Sequence, residues 1–530
     1  MPAPEPERRL AVVDLGSNTA KLVALAYVPG AGYRHLDQLR DVVRLSEGMG
    51  EGRVLRAEAM DRALATLRTF RAYCDATGIE HVVATATSAV RDAVNGDAFL
   101  ARARDEAGID LRVLSGEAEA AAGVLAVANA FAEPDAVVLD LGGGSLQLSD
   151  MRARRSVAGA SWPLGAVRAT EAWLPSDPPK KKHLRALRAA VRDAVGPWLE
   201  AREVAAEADG RPGPRAIPWI GMGGTLRSLA EAAQERSGYP LPLLHGYPFA
   251  ADDLAALAGD LAGMDAAARA GVPGLGADRA DIVVAGATVL DEVRALAGVE
   301  HVLVSGHGLR EGVFHPYLFP DAPDALAPDV RTFAVDNLAH RYDPDPVHAR
   351  RVERLALATF DALRARLGVG DDDRALLSAA ARLHDVGMAI DYFGHHRHGA
   401  NLVMARALPG FTPREQVLIA DLVLHHRKGK ATPTVAPAVL HAGDAERLRA
   451  LTAMLRLAEQ LERSKAGRVH DLRVHVGTEV VQVEVHVDGD ARLEVDAARA
   501  RSGLLAEVVG RPVEIVPVEV PAAPLATGAA

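Results

Sequence analysis

A chain of 530 residues is too long for one hydrophobic core, since single cores stop growing at roughly 250 to 300 residues, and three or four domains are expected. Sixty basic against 70 acidic residues give a formal charge of −10, which excludes a general binder of nucleic acid or of an anionic membrane surface, so that any polyanion site must be local. The lone cysteine, Cys74, excludes an intramolecular disulfide and a cysteine-based zinc site and fits a reducing cytoplasm.

The N-terminus, Met1 to Leu10, has no apolar core of a signal peptide, and no run of 18 apolar residues follows, so a cytoplasmic protein with no membrane partner is expected. Leu10–Val13 and Ala136–Leu139 are short apolar, β-branched runs. Each ends in Asp-Leu-Gly and a small polar loop, Asp14-Leu15-Gly16-Ser17-Asn18 and Asp140-Leu141-Gly142-Gly143-Gly144-Ser145, which makes an internal repeat. Between them His81–Thr85 reads as a buried strand, and Ala57–Thr77 and Glu117–Phe131 as helices with apolar residues at helical spacing. Ala216–Ile220 is a third strand entering Gly221-Met222-Gly223-Gly224-Thr225, then a helix over Leu226–Ala233. His301–Val304 is a fourth, entering Ser305-Gly306-His307-Gly308. Alternating strand and helix give an α/β class. Four prolines within Pro316–Pro328 mark a linker. Beyond it Pro346–Leu461 is helical in period and rich in histidine, His470–Val487 alternates like strands, and Ala497–Val508 reads as a helix. The expected divisions are 1–130, 131–318, 329–466 and a small α+β domain at 467–516, with a disordered tail over 517–530.

A strand ending in Asp-x-Gly and small residues brings a carboxylate and several backbone N–H groups to one strand end, where no side chain blocks a phosphate. Two such ends make a phosphate clamp. Gly16, Gly142, Gly143 and Gly144 allow close backbone approach, Ser17, Asn18, Thr19 and Ser145 can donate hydrogen bonds, and Asp14 and Asp140 can hold Mg²⁺ or Mn²⁺ through oxygen. Each loop read alone is an ordinary tight turn; the matched pair is what points to a site.

The paired DLGSNT and DLGGGS resemble the actin, sugar kinase and heat-shock ATPase superfamily. TATSAVRDAVNG, LSGEAEA, PLGAVRATE and SGHGLREGVF resemble signatures of the exopolyphosphatase and guanosine pentaphosphate phosphatase family within it. The resemblance implies a duplicated actin-like (ribonuclease H-like) pair followed by an all-α domain. It implies orthophosphate release from polyphosphate or guanosine pentaphosphate, a homodimer, and Glu119 as the general base. Arg91, just past a strand end, is expected to grip a phosphate; Gly223, Gly224 and Thr225 form a third phosphate-side loop; and Lys180–Lys182 could carry a polyphosphate tail. Gln147 stands where the family usually has a metal-binding glutamate, so a weaker Mg²⁺ site is implied. His348, His384, Asp385, His396, His425 and Glu459 resemble the ligands of an HD-type metal phosphohydrolase, with Glu459 in the place of the usual aspartate. Three other readings stay open: a non-hydrolysing sensor of polyphosphate or guanosine tetraphosphate, an actin-fold kinase or ATPase, and an active HD-like half hydrolysing a nucleotide diester or monophosphate.

Overall fold

The computed structural model describes residues 6–50 and 52–519 and divides into two compact units, one ending at Val330 and one beginning at Arg331.

The first unit contains two sheets built on one plan. In the first, Arg8–Leu15 (β1), Thr19–Val28 (β2) and Gly32–Val42 (β3) form an antiparallel meander, and Val82–Ala86 (β4) and Leu111–Val113 (β5) continue it in parallel, in the order β3-β2-β1-β4-β5. In the second, Ala136–Leu141 (β6), Leu146–Arg152 (β7) and Arg155–Trp162 (β8) repeat the meander. Trp219–Met222 (β9) and His301–Val304 (β11) add the parallel strands and Pro248–Ala250 (β10) closes the edge, in the order β10-β11-β9-β6-β7-β8. Leu10–Val13 and Ala136–Leu139 read as unbroken apolar runs because these strands are central and buried on both faces. The sites that matter follow β1, β4, β6, β9 and β11, at the carboxyl ends of the parallel strands, where open α/β sheets place ligands.

The expected helices are present as Ala57–Thr77, Gly116–Ala128 and Gly224–Ser237. The boundary drawn at residue 130 does not separate two packing bodies, however. Helix Gly116–Ala128 lies against β6, β7 and β8 of the second sheet, while helix Leu309–Leu318, which follows β11, returns to β1 and β2 of the first. Phe314 packs edge-on between Tyr27 and Tyr33. These two helices also touch, and a Cβ on Gly312 would lie 1.8 Å from the Ala122 carbonyl oxygen, so glycine there permits the crossing.

The second unit is a helical bundle carrying a three-stranded sheet, Val469–Val476 (β12), Val481–Val487 (β13) and Val513–Glu519 (β14). One continuous core joins helix residues such as Phe360, Leu377 and Leu455 to strand residues Val481, Val483 and Val485, so the expected division at residue 467 falls inside a single packed body. The tail expected to be disordered from Pro517 begins instead within β14, an edge strand, where a proline costs no ladder bond. Residues 520–530 of that tail lie outside the described residues. Among the described residues no helix is long and apolar enough to cross a membrane.

Candidate functional site

The two repeated loops close in the same way. After β1 the Gly16 N–H donates to the Thr19 carbonyl at 3.0 Å, and after β6 the Gly142 N–H donates to the Ser145 carbonyl, also at 3.0 Å. They approach so closely that a Cβ on Gly144 would lie 2.4 Å from Ser88 Oγ and 2.7 Å from Ser17 Oγ. Gly223, with φ of 103°, brings the third loop beneath them, where a Cβ would meet the Leu141 carbonyl oxygen at 2.3 Å. One cavity results. Asp14, Gly16, Ser17, Asn18, Thr19, Glu119, Asp140, Gly142, Gly143, Gly144, Ser145, Gly223, Gly224 and Thr225 all line it.

Glu119 reaches this cavity from the first turn of helix Gly116–Ala128, which Ser115 caps by accepting the Ala118 N–H at 3.1 Å. Glu117, two residues earlier, is exposed, as the 100° step of a helix requires. Burial pushes the Glu119 carboxyl up to about 7, against a lowering hydrogen bond from Arg91 and with help from the nearby Asp140 and Asp14 charges. Asp140 is raised by burial to about 6, and Asp14 is raised as well.

Arg91 and the lysine run, whose more usual reading is a solvated helix start, both lie outside this lining. Arg91 Nη1 donates to Glu119 Oε2 at 2.9 Å and to the Leu114 carbonyl at 2.8 Å, so this edge of the guanidinium holds the carboxylate. The lysines at 180–182 sit at the exposed start of helix Lys181–Ala208, away from the cavity lining.

Cations that were not singled out from the sequence do line it. Lys21 stands opposite Asp14 across β1 and β2, and burial, reinforced by Arg227 and Arg310, lowers its ammonium to about 7. Arg227, in the first turn after Gly223, donates to the Gly306 carbonyl at 3.1 Å and stays beside Asp140. Arg310 comes from the first turn of helix Leu309–Leu318, which follows β11. The signals were present: Lys21 is the one charge heading the apolar run Leu22–Ala26 and shares the face of Thr19, and both arginines lie inside the glycine motifs.

A divalent cation fits the donors present. Two buried carboxylates, Asp14 and Asp140, line one cavity; burial raises both and the Asp14 charge raises Asp140 further, which a hard cation relieves. Gln147 faces Asp140 in the β6–β7 register; it is buried and leaves both amide atoms without a hydrogen-bond partner, so its Oε1 is free for an ion or an ion-bound water. It sits behind the cavity surface and is not among the lining residues.

In the second unit the buried histidines converge, with two corrections. The groups within ligand distance are His348, His384 and Glu459, and beside them Asp385, His395 and His426. The expected His396 and His425 are each one residue off, about 100° around their helices. His396 is partly exposed, and His425 Nε2 is occupied by the Thr432 carbonyl at 2.9 Å. His395 and His426 each have a histidine neighbour in sequence, and spacing alone does not choose between adjacent positions.

The model of the Ppx/GppA phosphatase family matches residues 27–318, and that of Ppx/GppA phosphatase domain III matches residues 330–496. Among solved structures, an exopolyphosphatase from Cytophaga hutchinsonii is 28% identical with a TM-score of 0.54, over 59% of this chain and 98% of its own. An exopolyphosphatase-like protein is 24% identical with a TM-score of 0.51, over 58% and 98%. A Ppx/GppA family member from Aquifex aeolicus is 24% identical with a TM-score of 0.49, over 58% and 97%. With paired glycine loops, a buried acid at their junction and a family match over more than half its length, the chain belongs to the Ppx/GppA phosphatase family.

Proposed function

We propose that the first unit is an exopolyphosphatase, releasing terminal orthophosphate from linear polyphosphate, with guanosine pentaphosphate as a second substrate presenting the same terminal phosphoryl group. The observation that carries this is Glu119: a carboxyl raised to about 7, held by Arg91, in the cavity formed by the two glycine loops. Backbone N–H groups of the loops at 17–18 and 143–145 bind the phosphoryl oxygens, and Lys21, Arg227 and Arg310 supply positive charge. Glu119 takes a proton from a water as its oxygen bonds to the terminal phosphorus. The anhydride bond breaks, the shortened chain leaves with the bridging oxygen, and orthophosphate remains. Mg²⁺ or Mn²⁺, held at Asp14 and Asp140 with Gln147 behind them, supplies charge neutralisation at those oxygens.

The test is orthophosphate release from long-chain polyphosphate with Mg²⁺, comparing wild type with Glu119→Gln. A drop of roughly 10²- to 10⁴-fold with substrate binding retained is expected. Wild-type turnover in the variant would remove Glu119 from the mechanism. One observation favours a second reading: Gln147 lacks the charge of a metal-binding glutamate, and tight polyphosphate or guanosine tetraphosphate binding without any release would identify a sensor. Transfer of phosphate from a nucleoside triphosphate to an acceptor would instead mark a kinase. Self-association as a homodimer and a cytoplasmic location belong to the same proposal, and the native mass in solution checks the first.

A further inference from the structure

We propose that Asp92 and Arg168 are positioning residues for Glu119, which they reach through Arg91. The inference rests on the reading of Glu119 as the base and deepens it.

Three sequence signatures that lie far apart in the chain meet in one run of charges. TATSAVRDAVNG carries Arg91 and Asp92, LSGEAEA carries Glu119, and PLGAVRATE carries Arg168. Arg91 Nη1 donates to Glu119 Oε2 at 2.9 Å. At the stem end of the same guanidinium, Nε is 3.7 Å from Asp92 Oδ1, an ion pair and not a hydrogen bond. The second oxygen, Asp92 Oδ2, accepts from Arg168 Nη2 at 2.9 Å. Charges therefore alternate in sign along the run from Glu119 to Arg168.

The run fixes the Arg91 fork at both ends. Glu119 and the Leu114 carbonyl hold Nη1, while the Asp92 charge beside Nε sets the plane in which the guanidinium lies. Asp92 is held in turn by Arg168, whose own backbone is anchored. In the first turn of helix Ala166–Trp173, the N–H groups of Ala166, Val167 and Arg168 donate to the Gly142 and Gly143 carbonyls at 3.0, 2.9 and 3.2 Å. Those carbonyls belong to the second glycine loop, so the run ties the base to the loop proposed to hold the phosphoryl group. Fixing the two together keeps the attacking water in line with the phosphorus. Arg168 and Asp92 are 28% and 27% exposed, and an ion pair that exposed contributes little to stability, which leaves turnover as the property it serves. The competing explanation is direct contact between Arg168 and the substrate's tail, since Arg168 also lines an open pocket with Ser46 and Arg53.

Orthophosphate release is measured with Mg²⁺ for wild type, Asp92→Asn and Arg168→Ala, on long-chain polyphosphate and on tripolyphosphate. Both variants should lose about tenfold in kcat on either substrate, as a misplaced base does, with KM and Tm close to wild type. In an Arg91→Met background neither substitution should cost more than about twofold, because the route to Glu119 is already cut. The open pocket admits a small cation, so guanidinium ion should restore activity to Arg168→Ala and not to Asp92→Asn. Circular dichroism identifies a variant that fails to fold; Arg168→Lys, which keeps the charge on the same anchored helix, then replaces Arg168→Ala and should lose less kcat than Asp92→Asn. Wild-type kcat in both variants, or losses that multiply in full with that of Arg91→Met, overturns the proposal. So does a rise in KM confined to long-chain polyphosphate, which would make Arg168 a contact of the tail. No release by wild type itself would instead withdraw the reading of Glu119, and this inference with it.

Discussion

A carboxylate that burial holds near neutrality accepts protons efficiently at the pH where it works, and Glu119 is in that state because a dry cavity outweighs the Arg91 hydrogen bond. As a base it must be ionised, so kcat/KM for orthophosphate release should rise with pH through about 7. Arg91→Met removes the contact that lowers the carboxyl, and its acid limb should move to higher pH, with a smaller loss of kcat than in Glu119→Gln. A limb near 4.5 in wild type would show that the carboxylate does not work from this buried setting. Gln147 bears on the metal. A glutamate in its place adds a charge opposite Asp140, so Gln147→Glu should lower the Mg²⁺ concentration for half-maximal activity several-fold. Without Mg²⁺ the same variant should melt earlier, because the new charge would be buried unpaired. An unchanged Mg²⁺ dependence would place the ion out of reach of position 147.

At the scale of elements, the third loop depends on one backbone conformation. Gly223 has φ of 103°, a region closed to L side chains, and a Cβ there would lie 2.3 Å from the Leu141 carbonyl oxygen. Gly223→Ala should therefore cost about 2 kcal/mol or more of the first unit's stability and abolish phosphate release, measured by urea unfolding and by turnover. The strands and the paired loops were legible in sequence because each is a local pattern, an apolar run or a glycine turn, whereas Glu119 came from the resemblance of LSGEAEA to a family signature. What was not legible depends on packing between distant segments. The exchange of helices Gly116–Ala128 and Leu309–Leu318 between the two sheets is set by contacts such as Gly312 against Ala122, about 190 residues apart in the chain. The Arg91 contact with Glu119 was not legible for the same reason, since its partner lies on another element. Two of the converging histidines, His395 and His426, were missed by a single position because one residue turns a helix by 100° and nothing in adjacent histidines says which one faces inward.

For the whole molecule, the separate cores of the two units predict two unfolding transitions, and the cleft should govern only one of them. Glu119 and Asp140 have folded-state values of about 7 and about 6, above their ordinary 4.5 and 3.8. Between the ordinary and the folded values the native state binds more protons than the unfolded chain, so stability is intact below about 4 and declines as pH climbs to about 7. For Glu119 alone the full effect is about 3 kcal/mol. Mg²⁺ binds the ionised carboxylates and offsets this, so the Mg²⁺-induced rise in the first unit's Tm should be larger at pH 8 than at pH 5.5. Asp140→Asn should melt higher than wild type at pH 8 without Mg²⁺ and respond less to it. Differential scanning calorimetry across the four combinations of pH and Mg²⁺ reads all of this from one protein. A Mg²⁺ shift that did not depend on pH would mean that the ion is bound by groups other than Asp14 and Asp140, and the clamp between the two glycine loops would lose its metal.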